Sequence, residues 1–336
     1  MVTIKDIAKK AGVSITTVSR ALNNYYDVSP STKKKIFDIA DEMGYVPNRS
    51  AQNLVKKTNN TLAIILSGLE KEGGKDNIIY RLLSGMYSYA ESVNYEVVLY
   101  TTSSAHQRDK TYVQFCKEHN IGGAVLNGIK IDDPYFEELI ESDFPCVLID
   151  ILAQGKNVSS ISINNYKASI EATQHLIKNN HKNIAMINGR RQADVSSERY
   201  KGYAKALRNN DIPIKEEYII YADYLEDKAY KETIRLLTEH PEITALFCAS
   251  DMMALGAMKA VNKLQLRISE DISIIGFDNI PLSEYMTPPL TTVDQDFYVM
   301  GEKAGEQLLK MIKKQDYEKN MILKHKLLER KSVGML

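Results

Sequence analysis

Two sets of side chains in this 336-residue chain carry groups suited to molecular recognition. The first is Ile15, Thr16, Ser19 and Arg20, close together near the N-terminus. An arginine can pair bidentately with guanine O6 and N7, and isoleucine or threonine can lie against thymine methyls. The second set is Asp150, Arg199, Ser250, Asp251 and Asp278. Each acid or serine in it follows a short apolar run, and Arg199 reads as beginning a helix after a loop. Ligands of open α/β folds sit beyond the carboxyl ends of strands, so this is where a binding site is sought. There a carboxylate accepts hydrogen bonds from two neighbouring hydroxyls, and an arginine donates a fixed fork of N–H groups. Either set has a plainer alternative: Arg20 taken alone fits a solvated surface, and Asp278 fits a carboxylate capping the turn after its strand.

The elements that must hold the first set are short helices. Thr3 and Asp6 fit a capping box, and Ile4, Ile7, Ala8 and Ala11 then fall at helical spacing. Gly12 ends that helix, and Ser14 can cap the next one at once. Val18, Ala21 and Leu22 form the buried side of this second helix, which leaves Ile15, Thr16, Ser19 and Arg20 on its other faces. Two short helices joined by a tight Gly-containing turn place a recognition helix in a DNA major groove. A third helix is predicted over 31–43, with Ser29 as its cap, Pro30 at its first position and Gly44 closing it. Lys33, Lys34 and Lys35 read as a solvated face of that helix. Residues 48–57 form a short helical stretch with little apolar surface, which needs a partner to be ordered.

Net charge is zero over the chain, but residues 1–60 carry +5, so the remainder is acidic. A basic module on an acidic body is the footprint of a DNA-facing head. At this length about two domains are expected. Cys116, Cys146 and Cys248 show no CxxC pairing and read as buried reduced thiols. No apolar run approaches the roughly 20 residues of a membrane span, and no signal peptide precedes Thr3. There is no GxSxG elbow, GxGxxG after a strand, P-loop or HExxH, and the six histidines do not pair at metal-ligand spacing. Catalysis, a metal and a cofactor are therefore not expected.

From Leu62 onward short apolar runs alternate with amphipathic helical stretches. Strands are predicted at 62–67, 96–101, 123–127, 146–150, 159–163, 183–188, 218–222, 245–249 and 272–276. Helices over 78–94, 166–180, 198–210 and 252–264 fall between them. This alternation builds parallel sheets covered on both faces, and nine strands plus a tail fit two doubly wound lobes better than one wide sheet.

The run IKDIAKKAGVS-x-x-TVSRALN and the stretch YVPNRSAQNL resemble the lactose/galactose repressor (LacI/GalR) family. So do HLIKNNHKNIAMING, SSERYKGY, ASDMMALGAMKA, ISIIGFDNIP and PPLTTVDQD, and the resemblance spans nearly the whole chain. It implies a helix-turn-helix head at 1–46, a hinge helix and linker at 47–60, and a two-lobed core at 61–336 like a periplasmic sugar-binding protein. The first lobe would comprise about 61–160 plus 292–325, and the second about 161–291 plus the C-terminal tail. The resemblance further implies a bacterial, cytoplasmic, nucleoid-associated repressor of carbohydrate-utilisation genes. It would bind a pseudo-palindromic double-stranded operator as a homodimer, with no membrane partner. The chain ends without an added leucine-heptad helix, which favours a dimer over a tetramer.

By the same resemblance Ile15 and Thr16 are the variable recognition positions and Arg20 reads a base. Thr17, Ser19, Asn23, Ser29, Thr32 and Asn48 would meet DNA, mostly at phosphates, fixing register rather than sequence. Leu54 would be a minor-groove wedge, with the small Ala51 beside it. Asp150, Arg199, Ser250 and Asp278 match positions that bind a small effector, read as a mono- or disaccharide, while Tyr80 and Tyr224 are candidates to stack on a pyranose. Serine at 250 stands where the family often has asparagine, and Asn164-Asn165 replaces a commoner Asp-Asn pair. The alternatives are a sugar-binding protein without DNA function, and a regulator needing a corepressor or protein partner.

Overall fold

The computed structural model describes residues 2–45, 60–67, 76–131 and 133–336. The expected hinge, with Asn48, Ala51 and Leu54, lies outside the described residues. The chain divides into two compact units, Met1–Asn60 and Thr61–Leu336.

In the first unit α1 spans Ile4–Ala11, and Thr3 and Asp6 form the capping box. Gly12 follows at φ 68°, a left-handed conformation that costs glycine little. α2 covers Ile15–Leu22, and Ser14 accepts the Thr17 amide at 3.0 Å to cap it. α3 covers Pro30–Glu42 and is capped by Ser29. One buried cluster joins the three: Ile7, Ala8 and Ala11 from α1, Val18 and Ala21 from α2, Val28, and Ile36 and Ala40 from α3. So small a core leaves little margin, which is why the caps matter.

The second unit holds two six-stranded sheets. The first contains β1 (Thr61–Ser67), β2 (Glu96–Thr102), β3 (Ala124–Asn127), β4 (Cys146–Ile149) and β5 (Val158–Ile163). The second contains β6 (Ile184–Asn188), β7 (Ile219–Tyr221), β8 (Ala245–Cys248), β9 (Ser273–Asp278) and β10 (Thr291–Asp294). β11 (Asn320–Leu323) completes the first and β12 (Lys326–Leu328) the second. Their orders are β11-β5-β4-β3-β1-β2 and β12-β10-β9-β8-β6-β7. Pairing is parallel throughout except for β12 against β10. Continuous burial along β5, β6 and β9 is what helices on both faces produce.

Helices α4 (Asp76–Ser92), α5 (Ser104–Asp109), α6 (Tyr112–Glu118) and α7 (Pro134–Glu141) accompany the first sheet, and α12 (Phe297–Ile312) returns to it. α8 (Asn165–Lys178), α9 (Asp194–Arg208), α10 (Glu226–Glu239) and α11 (Asp251–Lys263) accompany the second. α4 and α12 touch backbone to backbone: a Cβ on Gly85 would meet the Tyr298 carbonyl, and one on Gly301 the Leu82 carbonyl.

The chain crosses between lobes after β5, after β10 and between β11 and β12. This corrects two expected boundaries. β5 runs to Ile163 within the first sheet, beyond residue 160, and β10 pairs with β9 in the second, so residues 292–294 belong there. All nine predicted strands are present. β10, β11 and β12 were not foreseen. The tail is stitched to the second lobe. Ser332 Oγ accepts the Thr291 amide at 2.8 Å and donates to Ile274 O at 2.6 Å. The Leu336 amide donates to Asn179 O at 3.1 Å. All three cysteines are free and buried, and burial pushes the Cys116 thiol up to about 12.

Candidate nucleic-acid interface and inter-lobe cleft

On the head, Ile15 is 45% exposed and Thr16 is exposed beside it, at the start of α2. An isoleucine left this open on a helix whose other side is fully buried is unusual for packing alone and suits a partner with apolar groups. Thr17 and Ser19 are half-buried, and the Thr17 hydroxyl shares a 2.8 Å hydrogen bond with Ser14. Ser29 lies exposed at the start of α3, and its hydroxyl contacts that of Thr32 at 2.8 Å. Asn23 turns back to its own helix: Nδ2 donates to Ser19 O at 2.8 Å, and Oδ1 is buried without a partner. Arg20 Nε donates to Asp27 Oδ1 at 3.0 Å, so the arginine is held rather than free. Nothing in the sequence reading anticipated Asp27, because it lies in the loop before α3. Lys33 Nζ donates to Asn24 Oδ1 at 2.8 Å at the surface, and Lys34 and Lys35 beside it are exposed.

In the core, a cavity of about 560 Å³ opens between the two sheets. Asp150, Arg199, Tyr224, Ser250 and Asp278 all line it. Tyr80 does not: it is 71% exposed on α4, where its neighbours Ile78 and Ile79 face the cavity instead. Helical periodicity explains the miss, since one residue of offset turns a side chain by about 100°.

Arg199 organises the site. It sits in the second turn of α9 rather than beginning the helix, because α9 starts at Asp194. It is 2% exposed. Its Nε donates to Asn165 Oδ1 at 2.9 Å, Nη1 donates to Ala249 O at 2.6 Å, and Cζ lies 3.8 Å from the Phe277 ring centroid. Asp278 Oδ1 is 4.0 Å from Nη1 and accepts from Gln295 Nε2 at 2.6 Å. Asp278 ends β9 at φ 113°, which bends its side chain out of the strand's alternation. Asp150, in the left-handed region at φ 61° just past β4, accepts from Ser162 Oγ at 2.8 Å. Burial raises its carboxyl above the usual carboxylate range, while the Arg199 charge and the Ser162 bond pull the other way.

Ser250 caps α11 by accepting the Met253 amide at 3.2 Å, so part of its bonding capacity is spent locally. Asp251 points away from the cavity. It accepts from Thr292 Oγ1 at 2.6 Å and from the Ile280 amide at 2.9 Å, and burial lifts its carboxyl well above the ordinary range. Tyr224 lies over Gly189, where a Cβ would strike its ring, and its hydroxyl meets Ser196 Oγ at 2.7 Å. Asn165, the second residue of the Asn164-Asn165 pair, is the buried acceptor that holds Arg199.

The sequence reading missed Gln295, Asn127 and an apolar wall of Ile78, Ile79, Ile129, Ile131, Ile149, Ile151 and Phe297. Gln295 Oε1 is buried with no partner, an acceptor left open at the cavity's edge. The cavity therefore offers one polar wall with both donors and acceptors and one aliphatic wall. That combination fits a small molecule bearing hydroxyls on one side and C–H surface on the other. Among the described residues no three His, Cys, Asp or Glu side chains could hold a metal ion, and no helix is long and apolar enough to cross a membrane.

Residues 3–48 match the model of bacterial regulatory proteins of the lacI family, and residues 173–333 match a periplasmic binding protein-like domain. An HTH-type transcriptional repressor PurR of Vibrio vulnificus is 32% identical over 327 residues, covering 97% of this chain and 96% of the relative. Among solved structures, a lac repressor dimer bound to operator and the anti-inducer ONPF has TM-score 0.85 at 28% identity, covering 98% of each chain. The complex of the transcriptional regulator CelR with cellobiose has TM-score 0.75 at 28% identity, covering 99% of this chain and all of that one. A helix-turn-helix head, two linked parallel-sheet lobes with a polar cleft, and a full-length relative all agree: this chain belongs to the lacI family, transcriptional regulators that join a DNA-binding head to a ligand-binding core.

Proposed function

We propose that this regulator represses carbohydrate-utilisation genes by binding a pseudo-palindromic operator as a homodimer, under control of a mono- or disaccharide held in the inter-lobe cleft. The buried Arg199, fixed by Asn165 and Ala249 between Asp150 and Asp278, is the observation that carries the effector reading. It presents a rigid donor between acceptors, which suits adjacent sugar hydroxyls. The structurally similar regulator CelR forms a complex with cellobiose, which supports the ligand class. On DNA, Ile15, Thr16 and Arg20 read base edges in the major groove, while Thr17, Ser19, Ser29 and Thr32 meet phosphates. Asn48 adds a backbone contact, and Leu54, beside Ala51, wedges the minor groove at the operator's centre. Two heads on one dimeric core gain strongly from effective concentration. An effector that prefers a core geometry with misplaced heads by about 3 kcal/mol lowers operator affinity over a hundredfold.

The test is selection of genomic fragments by the purified protein at physiological salt, followed by release with a panel of neutral sugars, uronates and sugar phosphates. Enrichment of one pseudo-palindrome and its release by a neutral sugar is the expected result. Release by sugar phosphates alone overturns the ligand class. Binding that strengthens with the ligand makes it a corepressor. No enrichment with or without sugars overturns the operator reading.

A further inference from the structure

The head carries an acid where it should least tolerate one. Asp27 lies in the loop between α2 and α3, on a basic module whose expected partner is a polyanion. It is bound edge-on to Arg20: Nε donates to Oδ1 at 3.0 Å, and Nη2 pairs with Oδ2 at 2.6 Å. The side chains stay 42% and 41% exposed, so an ion pair of this kind contributes little to folding. Its geometry is the informative part. A guanidinium has two edges able to make paired hydrogen bonds, and Asp27 takes the side edge, Nε with Nη2. The end edge, Nη1 with Nη2, keeps free hydrogens and is the edge left to pair with guanine O6 and N7.

Two further contacts restrict the arginine. Its Cζ lies 4.9 Å from the Tyr25 ring centroid, so the ring flanks the guanidinium. The loop bearing Asp27 is fixed at both ends. Lys33 Nζ donates to Asn24 Oδ1 at 2.8 Å, and Val28, next to Asp27, is buried in the head's core. Asn24 itself adopts φ 58°, the bend that brings Tyr25 and Asp27 back towards α2. Arg20 thus meets a side clamp and an aromatic face before any DNA arrives.

We propose that Asp27 is the positioning residue that makes Arg20 a reader of guanine rather than a general phosphate ligand. This deepens the proposed operator reading and rests on it. The carboxylate aims the end edge of the guanidinium, so less rotamer freedom is lost on binding. Its negative charge also discounts the attraction of Arg20 to phosphates, which weakens binding to any sequence alike. Losing Asp27 should therefore act in opposite directions on specific and nonspecific DNA.

The experiment selects binding sites from a randomised duplex pool with full-length wild type, D27N, R20A and the R20A/D27N pair, and then titrates each against its consensus and against random duplex over a range of salt. Circular dichroism melting of each variant confirms that the head is folded. For D27N the expected result is affinity for random duplex raised several-fold, and a salt slope steeper by about one. Guanine preference at one position of each half-site should fall about tenfold or more. On the R20A background D27N should change base preference no further, and a D27E variant that keeps Arg20 should retain part of the preference that D27N loses. If R20A erases the guanine preference while D27N leaves it intact, Asp27 does not position Arg20, though the operator reading stands. If R20A itself leaves base preference unchanged, Arg20 is no reader and both ideas fall together.

Discussion

The head and the core solve recognition in opposite ways. The candidate DNA-facing side chains of the head are exposed or half-buried, and the bonds around them link residues three to nine apart, as in Ser14 with Thr17, Arg20 with Asp27 and Lys33 with Asn24. The key group of the core is buried, and its partners are far away in sequence: Arg199 reaches Asn165, 34 residues off, and Ala249, 50 residues off. The head can present a surface to a large partner because its local bonds survive without a deep interior. The core must enclose a small molecule, so its polar groups can be held only by the tertiary fold. Damage in the head should therefore stay local, whereas damage in the cleft should reach the whole second unit.

The strongest break in this contrast is Arg199→Ala. It leaves the carboxylates beside it in a buried site without their cation and strips Asn165 and Ala249 O of a donor. The core should lose about 3–5 kcal/mol, measured by urea unfolding of the intact chain. Arg199→Lys should recover little, because an ammonium lacks the planar fork. A loss under about 1 kcal/mol for the alanine variant would mean the cleft is not held as described. Next comes Gly301→Ala. Its new methyl meets the Leu82 carbonyl and pushes α4 and α12 apart, with an expected cost of about 1–3 kcal/mol in the same unfolding transition.

A pH dependence should follow from Asp251. Its carboxyl is raised well above the ordinary range by burial and by Asp278, so the folded state holds the proton more tightly than the unfolded one. That contribution is complete below about pH 4 and is lost as pH rises through the raised value. Asp251→Asn does not titrate, so its melting temperature should gain on wild type steadily from pH 4 to pH 8. A difference that stays flat across that range would show that Asp251 ionises normally.

In the head, Ser14→Ala removes the cap of α2 and should cost about 1 kcal/mol, lowering the head's melting while leaving the core's transition unmoved. The smallest effect belongs to Tyr80→Ala. Exposed and away from the cavity, it should change core stability by less than about 0.5 kcal/mol. Binding of whichever sugar releases the protein from DNA should be equally unaffected; a tenfold loss would return Tyr80 to the cleft.

How much could be read in advance follows the same division. Thr3, Asp6, Gly12, Ser14, Ser29 and Pro30 are local signals, and each stands in the structure as the sequence implied. Most of the nine predicted strands were visible because buried parallel strands are largely apolar runs, as in β1, β4, β6 and β8. Asp150, Arg199, Tyr224, Ser250 and Asp278 were found by looking just past such runs and by resemblance, and they share one cavity. Asn165 stood out only as part of the Asn164-Asn165 pair and Gln295 only within the PPLTTVDQD run; the role of each comes from a partner in another element. The Ile78 wall escaped because no helix phase was assigned where α4 begins. β11 and β12 escaped because they are short, partly exposed edge strands flanked by charged residues, recognisable only from the sheets they complete.

The three crossings between the lobes lie side by side, since β11 neighbours β5 in one sheet and β12 neighbours β10 in the other. Three short threads set in a row act as the pins of a door: the leaves can swing, but they resist sliding past one another or drawing apart. Whatever the chemistry of the molecule that enters the cleft, the core can then report it outward only as an angle. Ligands of different shape are compressed onto a single coordinate, and what distinguishes an activating molecule from a silent one is how far along that coordinate it lets the door rest.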